Sequence, residues 1–161
     1  MSVVFSAEEV FSMAMEIEKS GYAYYKTVAD GTDNPKLKEL FDYLAGEEQR
    51  HYAFFESLSK EVTDLNISGE ELEQLSEYIQ ATTESRFFIG EDKAIALAKK
   101  TDTVKDAIDV AIGFEKDTLL FFYEVQNVTP QKTKKAAGEI IEEEKRHVMR
   151  LLEKKRELVG V

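Results

Sequence analysis

Cysteine is missing from all 161 residues of this chain. That one absence excludes disulfides, iron–sulfur clusters, a rubredoxin-type iron centre and a thiol nucleophile. Proline occurs twice and glycine eight times, too few for a loop-rich all-β design. No run approaches the roughly 18 consecutive apolar residues that a membrane span needs. The opening MSVVFSAEEVF lacks both a basic n-region and a long apolar stretch, so a signal peptide is not expected and a cytoplasmic location is. Positive charge is also in short supply: the net charge is −11, which argues against nucleic acid or an anionic membrane surface as a partner. What remains is 43% hydrophobic and 33% charged, ordinary for a soluble, helix-rich protein. The length suits one domain over residues 1–161 with a substantial core.

Histidine is scarce too, and its placement is informative. The chain has two, each closing the same five-residue phrase: Glu47-Glu48-Gln49-Arg50-His51 and Glu143-Glu144-Lys145-Arg146-His147. A Glu and a His three residues apart project from nearly the same face of a helix. Two Glu-x-x-His pairs on two helices mark a two-metal carboxylate site inside a four-helix bundle.

Punctuation supports four long helices. Helix A is expected from about Ala7 to Ala29, with a Ser6/Glu9 capping box, Phe5 stapling onto Val10, and Gly31 as the stop. Helix B starts after the Asn34 cap with Pro35 at its first position and runs to about Glu61. Helix C follows the Thr103-x-x-Asp106 box to about Asn127. Helix D takes Thr129 as cap and Pro130 in its first turn and reaches about Leu158. Short A–B and C–D links make two antiparallel hairpins. The B–C link, about Val62 to Asp102, must cross the length of the bundle, and within it Glu70–Thr83 and Glu91–Lys100 have helical composition. The fold class is therefore all-α: an antiparallel four-helix bundle with a long crossover containing short helices.

The hairpins repeat one another. Glu18 and Glu115 are offset by 97 positions, while Glu48/Glu144 and His51/His147 are each offset by 96. Apolar seams on heptad spacing are each interrupted once, at the same level, by Glu18, Glu48, Glu115 or Glu144. An uncompensated charge brought into a core costs several kcal/mol. Two divalent cations offset four carboxylates, and a carboxylate–imidazole set suits iron, manganese or zinc. Three residues after the glutamate, helices A and C carry the small Gly21 and Thr118 where B and D carry histidine. That leaves one side of the metal pair less filled, open to an oxidant or a third metal.

These motifs (Glu18 with Tyr25 seven residues on, Glu48-x-x-His51, Glu115 and Glu144-x-x-His147) resemble the ferritin-like di-iron carboxylate superfamily, most closely rubrerythrin-like proteins without a rubredoxin domain. The resemblance covers helices A to D. It implies a ferritin-like bundle holding two iron ions (Fe2+/Fe3+), with manganese or zinc as substitutes. It also implies Glu18 and Glu115 as terminal or bridging ligands, Glu48 and Glu144 as bridges, and one nitrogen each from His51 and His147. Tyr25 is implied to hydrogen-bond a ligand carboxylate. The implied activity is oxidoreduction with hydrogen peroxide or dioxygen, a response to oxidative stress, fed by an external electron-donor protein. Rubrerythrins usually carry a further glutamate where Thr118 stands, so the six-ligand set looks more like bacterioferritin and weakens the implication of rubrerythrin-type peroxide reduction. The alternatives are ferroxidase or iron handling, and a metal-stabilised bundle without turnover.

Other residues have plainer readings. Glu47 and Glu143 are expected to face solvent. Tyr22, Tyr24, Tyr52 and Tyr123 are expected to pack, and Lys132, Lys134 and Lys135 to form a solvated helix start. Helix C is apolar over much of its circumference around Leu119–Tyr123. The excess is expected to lie under the crossover or to form a homodimer face, the latter being favoured.

Overall fold

A computed structural model describes residues 5–64, 69–83 and 90–160. In chain order the helices are α1 (Ala7–Gly31), α2 (Pro35–Glu61), α3 (Gly69–Thr83), α4 (Gly90–Lys99), α5 (Val104–Val128) and α6 (Gln131–Val159), with no strand among the described residues. The architecture is the all-α bundle expected, with α1, α2, α5 and α6 as its four long members and α3 and α4 inside the crossover.

The caps show why the helices start where they do. Ser6 Oγ accepts from the Glu9 amide and Glu9 Oε2 accepts from the Ser6 amide at 2.7 Å, closing the expected box. Asn34 Oδ1 accepts from the Lys36 and Leu37 amides ahead of Pro35, and Thr103 Oγ1 accepts from the Asp106 amide. Two ends depart from expectation. Gly31 continues α1 instead of stopping it; it does not take a positive φ, and Thr32 closes the helix through its N–H to Val28 O. Thr129 does not cap α6. Its hydroxyl bonds back to Val125 O at 2.5 Å, because in so tight a corner the residue serves as the end of α5, and Pro130 takes the α6 N-cap position.

Packing divides the interior into two apolar layers. One gathers Ala7–Ile17 of α1 with Phe55 and Leu58 of α2, Phe114–Val128 of α5 and Ile140 and Ile141 of α6. The other gathers Ala23–Ala29 with Leu37–Ala45, Ala94 and Ala98 of α4, Ala107–Ile112 and Leu151. Rising numbers in α1 thus meet falling numbers in α5, so these two helices run antiparallel; Tyr24 O–H donating to Ala107 O at 2.8 Å fixes the register. Aromatic contacts stiffen both layers: Phe55 lies 4.8 Å from Phe122, and Tyr25 meets Phe41 edge-on at 5.1 Å. Residues 18, 48, 51, 115, 144 and 147 fall in the level between the layers.

The crossover is divided between the hairpins. Helix α4 lies along α1, and α3 touches α5, where Leu75 and Ser76 are buried and Ser76 Oγ accepts from the Phe5 amide. It covers only part of the apolar face of α5. Leu119 packs against the core and Phe121 and Phe122 are buried, but Leu120 remains 55% exposed and Tyr123 38%. Tyr123 is therefore not the packing residue expected; it sits at the surface with Lys145 Nζ over its ring. No helix is long and apolar enough to cross a membrane among the described residues.

Candidate metal centre

Each long helix delivers one glutamate to the level between the apolar layers, and α2 and α6 add a histidine one turn later. Glu18, Glu48, Glu115 and Glu144 have no solvent exposure, and His51 and His147 have essentially none. The donor atoms form two overlapping four-residue groups, Glu18, Glu48, His51 and Glu144, and Glu48, Glu115, Glu144 and His147, beside a smaller one that joins Glu47 to both histidines. Within each, one atom per residue lies within 4.8 Å of all the others. Glu48 and Glu144 belong to both four-residue groups. The structure thus brings together all six residues that the sequence nominates as ligands.

Both imidazoles aim Nδ1 inward. His51 Nδ1 is 2.7 Å from Glu144 Oε1 and 3.7 Å from Glu18 Oε2. His147 Nδ1 is 2.8 Å from Glu144 Oε2, 3.7 Å from Glu115 Oε1 and 3.9 Å from Glu48 Oε1. The rings stack at 5.5 Å, tilted by 17°. Despite these approaches, both oxygens of Glu18, Glu48 and Glu144, Glu115 Oε2 and both Nδ1 atoms make no aligned hydrogen bond. Buried polar atoms without partners are rare in folded proteins, yet every one among the described residues belongs to this level, His147 Nε2 and Thr118 Oγ1 included. Carboxylate oxygens and imidazole nitrogens that converge on shared points without satisfying one another are arranged for cations between them. The donor set fits a pair of divalent first-row ions.

Electrostatics give the same answer. Burial, then repulsion from Glu144, pushes the Glu115 carboxyl up to about 7. Burial raises Glu18 and Glu48 well above the usual carboxylate range, with neighbouring carboxylates adding to it. Burial would raise Glu144 as well, but the two imidazoles beside it win and hold it low. Conversely, burial would lower both histidines, and their carboxylate neighbours overrule it, lifting His51 to about 9 and His147 to about 11. Without cations, four carboxylates this close must take up protons; cations replace those protons.

The ligands are held from outside. Tyr25, fully buried, donates its O–H to Glu115 Oε1. On the far side of the imidazoles lie residues that sequence reasoning misplaced. Glu47 and Glu143 do not simply face solvent: their side chains are 20% and 22% exposed, and each carboxylate turns toward the histidine of the opposite helix. His51 Nε2–H donates to Glu143 Oε2 at 2.8 Å. Arg50 reaches over both acids, 2.7 Å from Glu47 Oε2 and 2.6 Å from Glu143 Oε2. A signal was present in the sequence: both five-residue phrases carry Glu before the ligand Glu and Arg before the His. A metal-bound imidazole needs an acceptor for its other N–H, and the residue preceding a ligand on the facing helix is placed to supply it.

The small positions also behave differently from expectation at Gly21. A Cβ there would stand 2.7 Å from Glu48 Oε2 and 2.9 Å from Phe114 Cε1. The room left by the missing side chain is occupied by the Glu48 carboxylate, so at Gly21 no open flank is left for an oxidant or a third metal. Thr118, its counterpart in the second hairpin, is fully buried with its hydroxyl unpartnered.

Residues 9–155 match the family model of the rubrerythrins. Among solved structures, the chain superposes on a Thermotoga maritima protein named as a candidate ferritin-like diiron-carboxylate protein. The TM-score is 0.70, over 96% of this chain and 97% of that one, at 24% identity. At that identity the likeness establishes the fold alone. No curated protein matches the chain.

Proposed function

The chain belongs to the rubrerythrin family, and from that premise we propose that it is a non-haem di-iron oxidoreductase that reduces hydrogen peroxide or dioxygen with electrons from another protein. The observation that carries this reading is the level of buried, mutually unsatisfied carboxylate and imidazole atoms shared by all four long helices.

Two iron ions, cycling between Fe2+ and Fe3+, supply the redox chemistry when bound, with manganese or zinc as substitutes. Glu18 and His51 would hold one ion and Glu115 and His147 the other, with Glu48 and Glu144, present in both four-residue donor groups, available to each. Four carboxylates and two divalent ions leave the reduced centre neutral, which suits a site sealed between apolar layers. Tyr25 orients Glu115, while Glu143 and Arg50 hold the His51 ring. With no cysteine to hold a rubredoxin-type iron centre, the electrons are proposed to come from another protein.

The test is anaerobic Fe2+ loading, then peroxide and dioxygen added separately under ultraviolet–visible absorption, followed by steady-state turnover with a reductase and rubredoxin. Near-ultraviolet ferric absorption and sustained peroxide consumption are expected, and Glu48→Ala or His147→Ala should lose both. Iron uptake without oxidation by either oxidant would end the reading and leave a metal-stabilised scaffold.

A ferroxidase or iron-handling role is the second reading, favoured by Thr118 standing where the family usually has a further glutamate. Iron released or passed on after oxidation supports it. The open strip at Leu120 and Tyr123 on α5 supports a homodimer.

A further inference from the structure

We propose that the two metal positions are unequal, and that the one served by His51 and Glu18 fills before the one served by His147 and Glu115. This rests on the reading of the centre as a two-ion site but not on any reaction it performs.

The inequality comes from residues outside the ligand set. The ligands themselves obey the internal repeat, whereas their supports do not. His51 Nε2 has a carboxylate acceptor at 2.8 Å, and that Glu143 oxygen is itself fixed by Arg50 at 2.6 Å. The corresponding contact across the repeat, His147 Nε2 to Glu47 Oε2, is 3.8 Å, too long for a hydrogen bond, and His147 Nε2 has no partner. Arg146, the repeat counterpart of Arg50, is 4.0 Å from Glu143. On the carboxylate side the pattern reverses. Tyr25 donates to Glu115, and its repeat counterpart is Phe122, which has no hydroxyl to offer; both Glu18 oxygens are left free.

Both differences act in the same direction. A cation on Nδ1 makes the opposite N–H more acidic, so the His51–Glu143 bond strengthens on binding and its gain is returned as affinity. A cation on Glu115 withdraws charge from its oxygens, so the Tyr25 bond weakens on binding and opposes it. The His51 position therefore has a helper that the other lacks, and the His147 position has an opponent that the first lacks.

Because the chain has two histidines, one per position, the order can be read directly. Apo protein labelled with 15N-histidine is titrated with Zn2+ in the absence of any oxidant. In the first equivalent the His51 ring resonances are expected to shift while those of His147 stay. Ion–ion repulsion alone also produces two steps, so the decisive comparison is between variants. Glu143→Gln should weaken filling at His51 by about 10–100-fold and erase the order. Glu47→Gln should move neither position by more than about threefold and keep the order, because Glu47 makes no hydrogen bond to His147 and the glutamine amide oxygen can still accept from Arg50. Far-ultraviolet circular dichroism of both apo variants checks that each folds. Simultaneous shifts, His147 moving first, or equal losses in the two variants would overturn the inference. An ordered titration by a protein whose iron form ignores peroxide and dioxygen would sink the proposed activity and leave this inference standing.

Discussion

The first hairpin, α1 with α2, and the second, α5 with α6, place Glu and Glu-x-x-His at one level, but they are dressed differently. Helix α4 covers α1, whereas α5 keeps Leu120 and Tyr123 at the surface. Helix α1 contributes Tyr25 beside the centre where α5 contributes Phe122, and α2 contributes an Arg50 that bridges two acids at 2.6–2.7 Å where Arg146 approaches Glu143 at 4.0 Å. The lesson is that symmetry holds where four buried carboxylates and two imidazoles converge on shared points. Elsewhere each half answers to its own neighbours.

The most severe way to break the comparison is to remove a residue both halves share. Glu144→Ala should abolish binding of both ions, whereas His51→Ala should leave one position occupied; metal content by mass spectrometry after desalting reads the difference. Saturating metal at about 1,000 times its dissociation constant should raise the stability of the native chain by about 4 kcal/mol, and that gain should vanish in Glu144→Ala. Next come paired substitutions at the small positions. Gly21→Ala drives a methyl into Glu48 and should cost about 1–3 kcal/mol in urea unfolding while weakening metal uptake. Thr118→Val removes an unpartnered hydroxyl at matched shape and should be neutral or stabilising by up to about 1 kcal/mol.

Titration sharpens the contrast between the empty and filled centre. Glu115 is raised to about 7, and His51 and His147 to about 9 and 11. A raised pKa contributes stability below the unfolded-state value that is lost as pH rises through the folded value. Metal-free protein should therefore lose melting temperature progressively between about pH 5 and 11, first through Glu115 and then through the two histidines, whereas the zinc-loaded form should not, because there cations would stand in the protons' place. Depressed Glu144 acts oppositely, giving stability that is lost as pH falls below the ordinary carboxylate range. The smallest effect is expected at the open face of α5: Leu120→Arg should change stability by less than about 0.5 kcal/mol but shift a dimer to monomer in sedimentation. A wild-type monomer would remove that face as an interface.

Much of this was legible in the residues. The Glu-x-x-His spacing specifies which atoms share a helix face, and the one-glutamate break in each apolar seam specifies their common level. The caps at Ser6, Asn34 and Thr103 specify where three rods begin, because a side-chain oxygen can reach an orphan amide only from that position. Thr129 was misread because a threonine hydroxyl serves a carbonyl behind it as readily as an amide ahead, and only the corner geometry decides between them. Glu47 and Glu143 were misread because helical periodicity locates a residue on its own helix and says nothing of a ring reaching across from another.

What the sequence determined by itself, then, was the kind of bundle and which six side chains converge at one level, since periodicity and charge burial are local or additive properties. Tertiary structure alone decided that Glu48 fills the space at Gly21, that Tyr25 finds Glu115, and that Arg50 ties Glu143 to His51. Each depends on distances of a few tenths of an ångström between separate helices, and no pattern along one strand of residues encodes those.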